Sequence, residues 1–156
     1  MDLKHIKDTP TVPRIEDTNN VQVEDIRLML LDHVPNDYNV VSGDYYFSDI
    51  EIMEARKRAI EAFNALPPRS VNCGLQGIPD NWIMKTGTCW QACLSKSLFF
   101  ARKAVQYNAG GVAVDMYGNA SKVMKEAAAE FKQEFIEAAT ALKKGTNIRR
   151  AFAKIG

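Results

Sequence analysis

The chain has 156 residues and a formal net charge of +1, with 46% apolar and 25% charged residues. That length suits one domain with a real core and is short for two, and the composition is that of an ordinary globular protein. No run approaches the ~20 consecutive apolar residues of a spanning helix, and the N-terminal twenty residues lack the apolar centre of a signal peptide.

The small net charge hides an asymmetry. Residues 1–68 hold seven Lys/Arg and thirteen Asp/Glu, whereas residues 69–156 hold thirteen and six. A chain divided this way can set an acidic face of one copy against a basic face of the next, or join its two halves within one subunit. Such complementarity orients association more than it adds affinity.

Residues 1–20 read as an extended arm, since Pro10 and Pro13 bracket β-branched residues and helical periodicity is missing. A first helix is expected from Val23 to about His33. Glu24 and Asp25 suit its positive N-terminal end, Ile26, Leu30 and Val34 repeat at i, i+4, i+8, and Pro35 ends it. A turn-rich link follows, leading into Tyr45, Tyr46 and Phe47.

The second helix, Asp49 to about Leu66, is marked at both ends. Ser48 and Glu51 are spaced for a capping box, Phe47 and Ile52 for a hydrophobic staple, and Pro67-Pro68 stop the helix. Its apolar stripe is Ile52, Ala55, Ala59, Ala62 and Leu66 with Phe63, and Glu54–Arg58 and Lys57–Glu61 are i, i+4 pairs on the wet side.

Residues 67–85 read as a long irregular loop. Val71, Leu75, Ile78 and Trp82 require it to pack against the domain or a partner. A third helix is expected from about Thr86 or Thr88 to Tyr107. Its wide apolar arc (Trp90, Leu94, Ser97, Ala101, Ala104, Val105, Phe99, Phe100) suggests a central helix touched on several sides. Gly110-Gly111 interrupts it, and Val112 to Met116 reads as a short extended passage. A fourth helix runs from about Ala120 to Lys144 on the stripe Met124, Ala128, Phe131, Phe135, Ala138, Leu142, with Lys143 and Lys144 at its negative end and Gly145 as its stop.

These elements describe an all-α protein: a four-helix bundle-like domain over residues 21–145, with a long structured loop, an extended N-terminal arm (1–20) and a basic C-terminal tail (146–156).

Residue patterns for catalysis are sparse. Cys89 and Cys93 share a helix face and, with Cys73 and His33, form a conceivable zinc set, but the spacing fits no usual pattern, and buried free thiols are the better reading. An odd cysteine count without an export signal points to reduced thiols. His5 lies in the arm and His33 at a helix end, where its ring can meet exposed carbonyls. Gly110-Gly111 lacks the Lys-Ser/Thr of a phosphate loop. Glu126, Glu130, Glu134 and Glu137 form an acidic stripe without the Glu-x-x-His partner of a bundle metal site, so they read as a solvated or subunit-facing side. The Lys/Arg of residues 143–156 offer a salt-dependent contact to nucleic acid with no recognition motif behind it. No catalytic residue, metal or cofactor is expected.

Three patches resemble the head–tail adaptor proteins of tailed bacteriophages, the neck-ring family that docks beneath the portal. They are Asp44-Tyr-Tyr-Phe-Ser-Asp-Ile-Glu-Ile52 with Ala55, Ala59, Asn64 and Pro67-Pro68 behind it; Gly110-Gly111-Val112-Ala113-Val114; and Lys143-Lys144-Gly-Thr-Asn-Ile148 with Arg149 and Phe152. Ile50 departs from the family's acidic residue, and the segment 73–93 has no counterpart. The resemblance implies a structural protein of the virion neck, made in the host cytoplasm. It implies a ring of identical subunits, twelvefold to match a portal, joining capsid to tail and touching other neck or tail proteins. It points to Arg149, Arg150, Phe152 and Lys154 as portal contacts. Asp44, Ile78 and Trp82 are expected at subunit contacts. The alternative is a nucleic-acid-binding helical module associated with genome packaging.

Overall fold

A computed structural model describes residues 21–32, 45–69, 71–74, 77–104, 107–109, 112–114 and 117–153, without the side chains of 107–109, 112–114, 150 and 152. The described residues form four helices, α1 (Val23–Met29), α2 (Asp49–Ala65), α3 (Asn81–Lys103) and α4 (Gly118–Ala153). Between α3 and α4 lies a short antiparallel ribbon, β1 (Tyr107–Ala109) paired with β2 (Val112–Val114), in the register Tyr107 to Val114. The fold is all-α, with this ribbon as its one described piece of sheet. The expectations for the arm 1–20, His33, Asp44, Gly110-Gly111 and Lys154 lie outside the described residues.

The ends of α2 follow from local chemistry. Ser48 Oγ accepts from Glu51 N at 3.3 Å, and Ser48 N donates to Glu51 Oε2 at 2.8 Å. Phe47 and Ile52, the staple pair, are both buried in the same core cluster. Leu66, preceding Pro67, is driven to extended backbone and ends the helix.

The first helix stops four residues before the expected end. Leu31 adopts the left-handed conformation (φ 57°), Leu31 N donates to Leu28 O, and Asp32 N donates to Arg27 O. This pair of bonds is a Schellman cap with leucine where glycine is usual. The i, i+4 pattern continues through Val34, but the backbone leaves the helix at Leu30.

The third helix starts earlier than expected, at Asn81. Asp80 Oδ1 caps it by accepting from Ile83 N at 3.0 Å. Ile78 is fully buried and pins the preceding loop, as does Asn64, which bonds both the N–H and the carbonyl of Cys73. The buried face of α3 holds Met84, Cys89, Ala92, Cys93 and Phe100, whereas Ala101 and Ala104 are exposed. Thr86, Thr88 and Ser97 are buried too, and each hydroxyl donates to a carbonyl of its own helix, so the central helix is enclosed without orphaned polar groups.

α2 and α4 both run antiparallel to α3. Glu51 meets Lys96 on one side, and Ser121 Oγ donates to the Ser97 carbonyl on the other. The three helices cross most closely at Gly87. A Cβ there would lie 2.7 Å from the Phe135 ring and 3.1 Å from Ala59 Cβ, so only glycine permits this approach. One pole of the bundle therefore gathers the start of α2, the end of α3 and the start of α4. The other gathers the end of α2, the start of α3 and the end of α4.

The fourth helix does not stop at Gly145. It continues to Ala153, so residues 146–153 are helical rather than a tail. At 1.5 Å per residue α4 is about 54 Å long against about 35 Å for α3. Lys143, expected at the negative end of its own helix, serves another. Its side chain is buried and its ammonium donates to the carbonyl of Leu66 at the end of α2, 4.7 Å above the Phe63 ring. Burial holds its pKa below the usual lysine range.

Gly87→Ala is expected to destabilise the fold by about 1–2 kcal/mol. Overpacking costs about 1–3 kcal/mol and the better helix propensity of alanine returns up to about 1. Urea denaturation checks this, and an unchanged midpoint would mean that the crossing is looser than described.

Candidate interaction surfaces

The densest group of charges lies where α1 meets α2. Asp32 is buried and accepts three hydrogen bonds, from Arg27 at 3.0 Å, from Tyr46 N at 2.8 Å and from Phe47 N at 2.9 Å. Arg27, itself 5% exposed, also pairs with Asp49 and stacks 3.8 Å from the Tyr45 ring centroid. Next to it Lys96 pairs with Glu51 at 3.0 Å and sits over the rings of Tyr46 and Phe47. The depression these residues line, about 680 Å³, is open and shallow, and its charges are already matched by one another. It is a structural node.

The acidic and basic halves of the chain meet at two ion pairs. Asp25–Lys85 (3.1 Å) and Glu51–Lys96 join the acidic half to the basic half inside one subunit. Lys57 pairs with Glu54 at i, i+3 instead of with Glu61, and Arg58 donates to Ser95 Oγ, so neither expected i, i+4 pair forms as such.

An apolar groove of about 390 Å³ lies on the same pole, between Leu30, Leu31, Phe47 and the start of α4 at Ala120, Val123 and Met124. A second groove, of about 410 Å³, lies at the other pole. Trp82 and Ile83 of α3 form one wall, and Ala141, Leu142, Gly145 and Arg149 of α4 form the floor and end. Beyond it, the last turns of α4 leave the bundle, with Lys144, Gly145, Ile148, Arg149 and Ala151 all exposed.

The residues expected to make contacts divide accordingly. Trp82 is 53% exposed and Arg149 is exposed, and both line the second groove. Ile78 is the correction: its side chain is wholly inside the core, so it presents nothing to another subunit. Arg150 and Phe152 belong to α4 but their side chains lie outside the description, as do Lys154 and Asp44 altogether. The acidic stripe Glu126, Glu130, Glu134, Glu137 is exposed.

Sequence reading missed the contacts that join α3 to α4: Ser121 Oγ donates to the Ser97 carbonyl, and the Lys132 ammonium lies 5.7 Å from the Trp90 ring centroid. Arg102, Lys122, Lys125 and Lys132 are all exposed.

The thiols are core residues. Cys89 and Cys93 are buried among apolar side chains and Cys73 is half-buried. Burial lifts Cys93 to about 11 and pushes Cys89 and Cys73 up as well. Among the described residues no three His, Cys, Asp or Glu side chains gather as a metal-binding group, and both histidines lie outside that part. No described helix is long and apolar enough to cross a membrane.

No protein-family model matches the chain, and neither the curated proteins nor the solved structures contain a significant match to it.

Two outcomes follow from this geometry. Burial opposes ionisation of Glu51, but the Ser48 N–H and Lys96 outweigh it and hold the carboxyl below its ordinary 4.5. A depressed carboxylate contributes stability that is full above pH 4.5 and lost as pH falls through the lower folded value. The urea midpoint should therefore decline in that acid window, and Glu51→Gln should flatten the decline; an unaltered slope would remove Glu51 from the acid response. The second concerns the thiols. At about pH 8 a thiol reagent should reach Cys73 slowly, and Cys89 and Cys93 only on unfolding. Prompt labelling of all three in the native protein would contradict the packing of α3.

Proposed function

We propose that this chain is a structural subunit of a tailed-phage neck: a head-to-tail adaptor that docks on the portal through a ring of its own copies and joins capsid to tail. The observation that carries this reading is the end of α4. The segment that the family resemblance assigns to the portal leaves the bundle as a continuous helix, with Ile148 56% exposed and Arg149 free to reach outward. A rigid arm of this kind is ordered before it meets a partner, which lowers the entropic cost of docking. The rest of the molecule supplies a stiff body: a three-helix crossing closed on Gly87 and a capped α2.

One observation favours a second reading, contact with nucleic acid. Lys122, Lys125 and Lys132 are all exposed along α4, and Arg102 is exposed near the end of α3. A duplex lying there would be held by phosphate contacts, with affinity falling by a log–log slope of about −0.9 per phosphate neutralised as salt rises.

Removal of residues 146–156 separates the two. Among the described side chains of the deleted stretch all but Thr146 are exposed, so the truncated chain should keep its urea midpoint. Under the adaptor reading it no longer assembles onto portal-bearing heads, and neither form binds duplex DNA appreciably. Normal assembly of the truncated chain would overturn the portal role of α4. Steeply salt-dependent DNA binding, retained on truncation and lost in Lys122→Glu/Lys125→Glu, would favour the second reading instead.

A further inference from the structure

Gly-Thr occurs twice inside the helices of this chain, at Gly87-Thr88 in α3 and at Gly145-Thr146 in α4. In both, the threonine hydroxyl turns back on the carbonyl one turn earlier. Thr88 Oγ1 donates to Met84 O at 2.7 Å, and Thr146 Oγ1 donates to Leu142 O at 2.9 Å. Each pair combines two features that loosen a helix. Glycine is unfavourable in a helix interior relative to alanine, and a hydroxyl that competes for a ladder carbonyl favours bending. Glycine beside a hydroxyl residue is a recurrent site of helix kinks.

The two settings differ. Gly87 and Thr88 are buried, and a Cβ at residue 87 would lie 2.7 Å from the Phe135 ring, so packing both requires that glycine and encloses its turn. Gly145 has no such neighbour: a Cβ built on it meets nothing within 4 Å, and its φ is not positive. Neither packing nor backbone conformation accounts for a glycine there, with eight helical residues still to follow. The pair also stands just outside the last anchor of α4. Lys143 is buried, and its ammonium ties α4 to the end of α2 through the Leu66 carbonyl. Beyond Lys143 every described side chain except Thr146 is exposed.

We propose that Gly145-Thr146 is a joint, at which residues 146–153 swing as a helical arm against a body held up to Lys143. The arm stays wound; what the joint frees is its direction, so Ile148 and Arg149 are presented over a range of angles. A partner that grips the arm selects one of them. This goes beyond the adaptor reading and does not depend on it, because the motion belongs to the isolated chain.

Spin labels on Ala65→Cys, at the end of α2, and Arg149→Cys, in the middle of the arm, measure the swing in the full chain. Cys73→Ser removes the half-buried thiol, and Cys89 and Cys93 are buried from the reagent. Both labelled positions are exposed, and Asn64 bonds the backbone of residue 73, so the fold should be kept. Pulsed dipolar spectroscopy should give a broad distance distribution. Gly145→Ala should reduce the population of bent arms about fivefold, and adding Thr146→Ala should reduce it further. Ala141→Gly, placed in the Gly145→Ala chain, should leave the distribution narrow, because Lys143 anchors the helix beyond it. The continuous-wave spectrum of the label at residue 149 should be that of a helix surface throughout. A starting distribution as narrow as that of the Gly145→Ala/Thr146→Ala chain would overturn the joint. So would a coil-like spectrum at residue 149, which would mean that the arm unwinds instead of pivoting. A chain with Ala141→Gly as broad as one with Gly145 would overturn it too, since any glycine would then serve.

Discussion

The buried pair Arg27–Asp32 organises the half of the molecule around α2. Asp32 closes the cap of α1 with its backbone and, with its side chain, receives Arg27 and the N–H groups of Tyr46 and Phe47. One carboxylate thus joins the end of α1 to the residues that enter α2. Arg27 carries the link further, to Asp49 in the first turn of α2. Deleting one member of a buried pair typically costs about 3–5 kcal/mol, because the other is left uncompensated, although an apolar replacement of both can cost little. Its contribution is therefore positional. It sets Phe47 into the core as the staple and, by fixing the start of α2, turns Ile50 outward.

The other organising constraint is the crossing at Gly87. With Ala59 on one side and Phe135 on the other, α3 approaches both neighbours more closely than any side chain would allow. α4 then lies along α3 and outruns it, since it has 36 residues against 23. The exposed last turns of α4 and the groove at its flank follow from that difference in length. Lys143 anchors the point of departure by bonding the end of α2, where Leu66 leaves a helix-terminal carbonyl without an intrahelical donor.

Local signals were read correctly where the physics is local. The Ser48–Glu51 box and Pro67-Pro68 bound α2, and its stripe of Ile52, Ala55, Ala59 and Phe63 is buried as the 3.6-residue period requires. The burial of Cys89 and Cys93 and the core stripe of α4 were equally legible. Errors occur where two local signals compete. Leu30 and Val34 extend the period of α1, yet the chain turns at Leu31. Gly145 resembles a helix stop, yet the helix passes through it. Asp80 after Pro79 is a cap signal that the turn-like residues around it obscured, and so Ile78 was expected at a surface and Trp82 in a loop.

Sequence alone determined the all-α class, the four described helices and the apolar faces of α2 and α4, because periodicity and capping depend on residues within a few positions of one another. Tertiary structure decided which polar residues are buried and where α1 and α4 end. Arg27, Asp32 and Lys143 are charged side chains that any sequence reading sets in water. Arg27 and Asp32 meet across the cap of α1 but are enclosed only when the residues entering α2 pack over them, and Lys143 meets the Leu66 carbonyl only when α4 packs on α2.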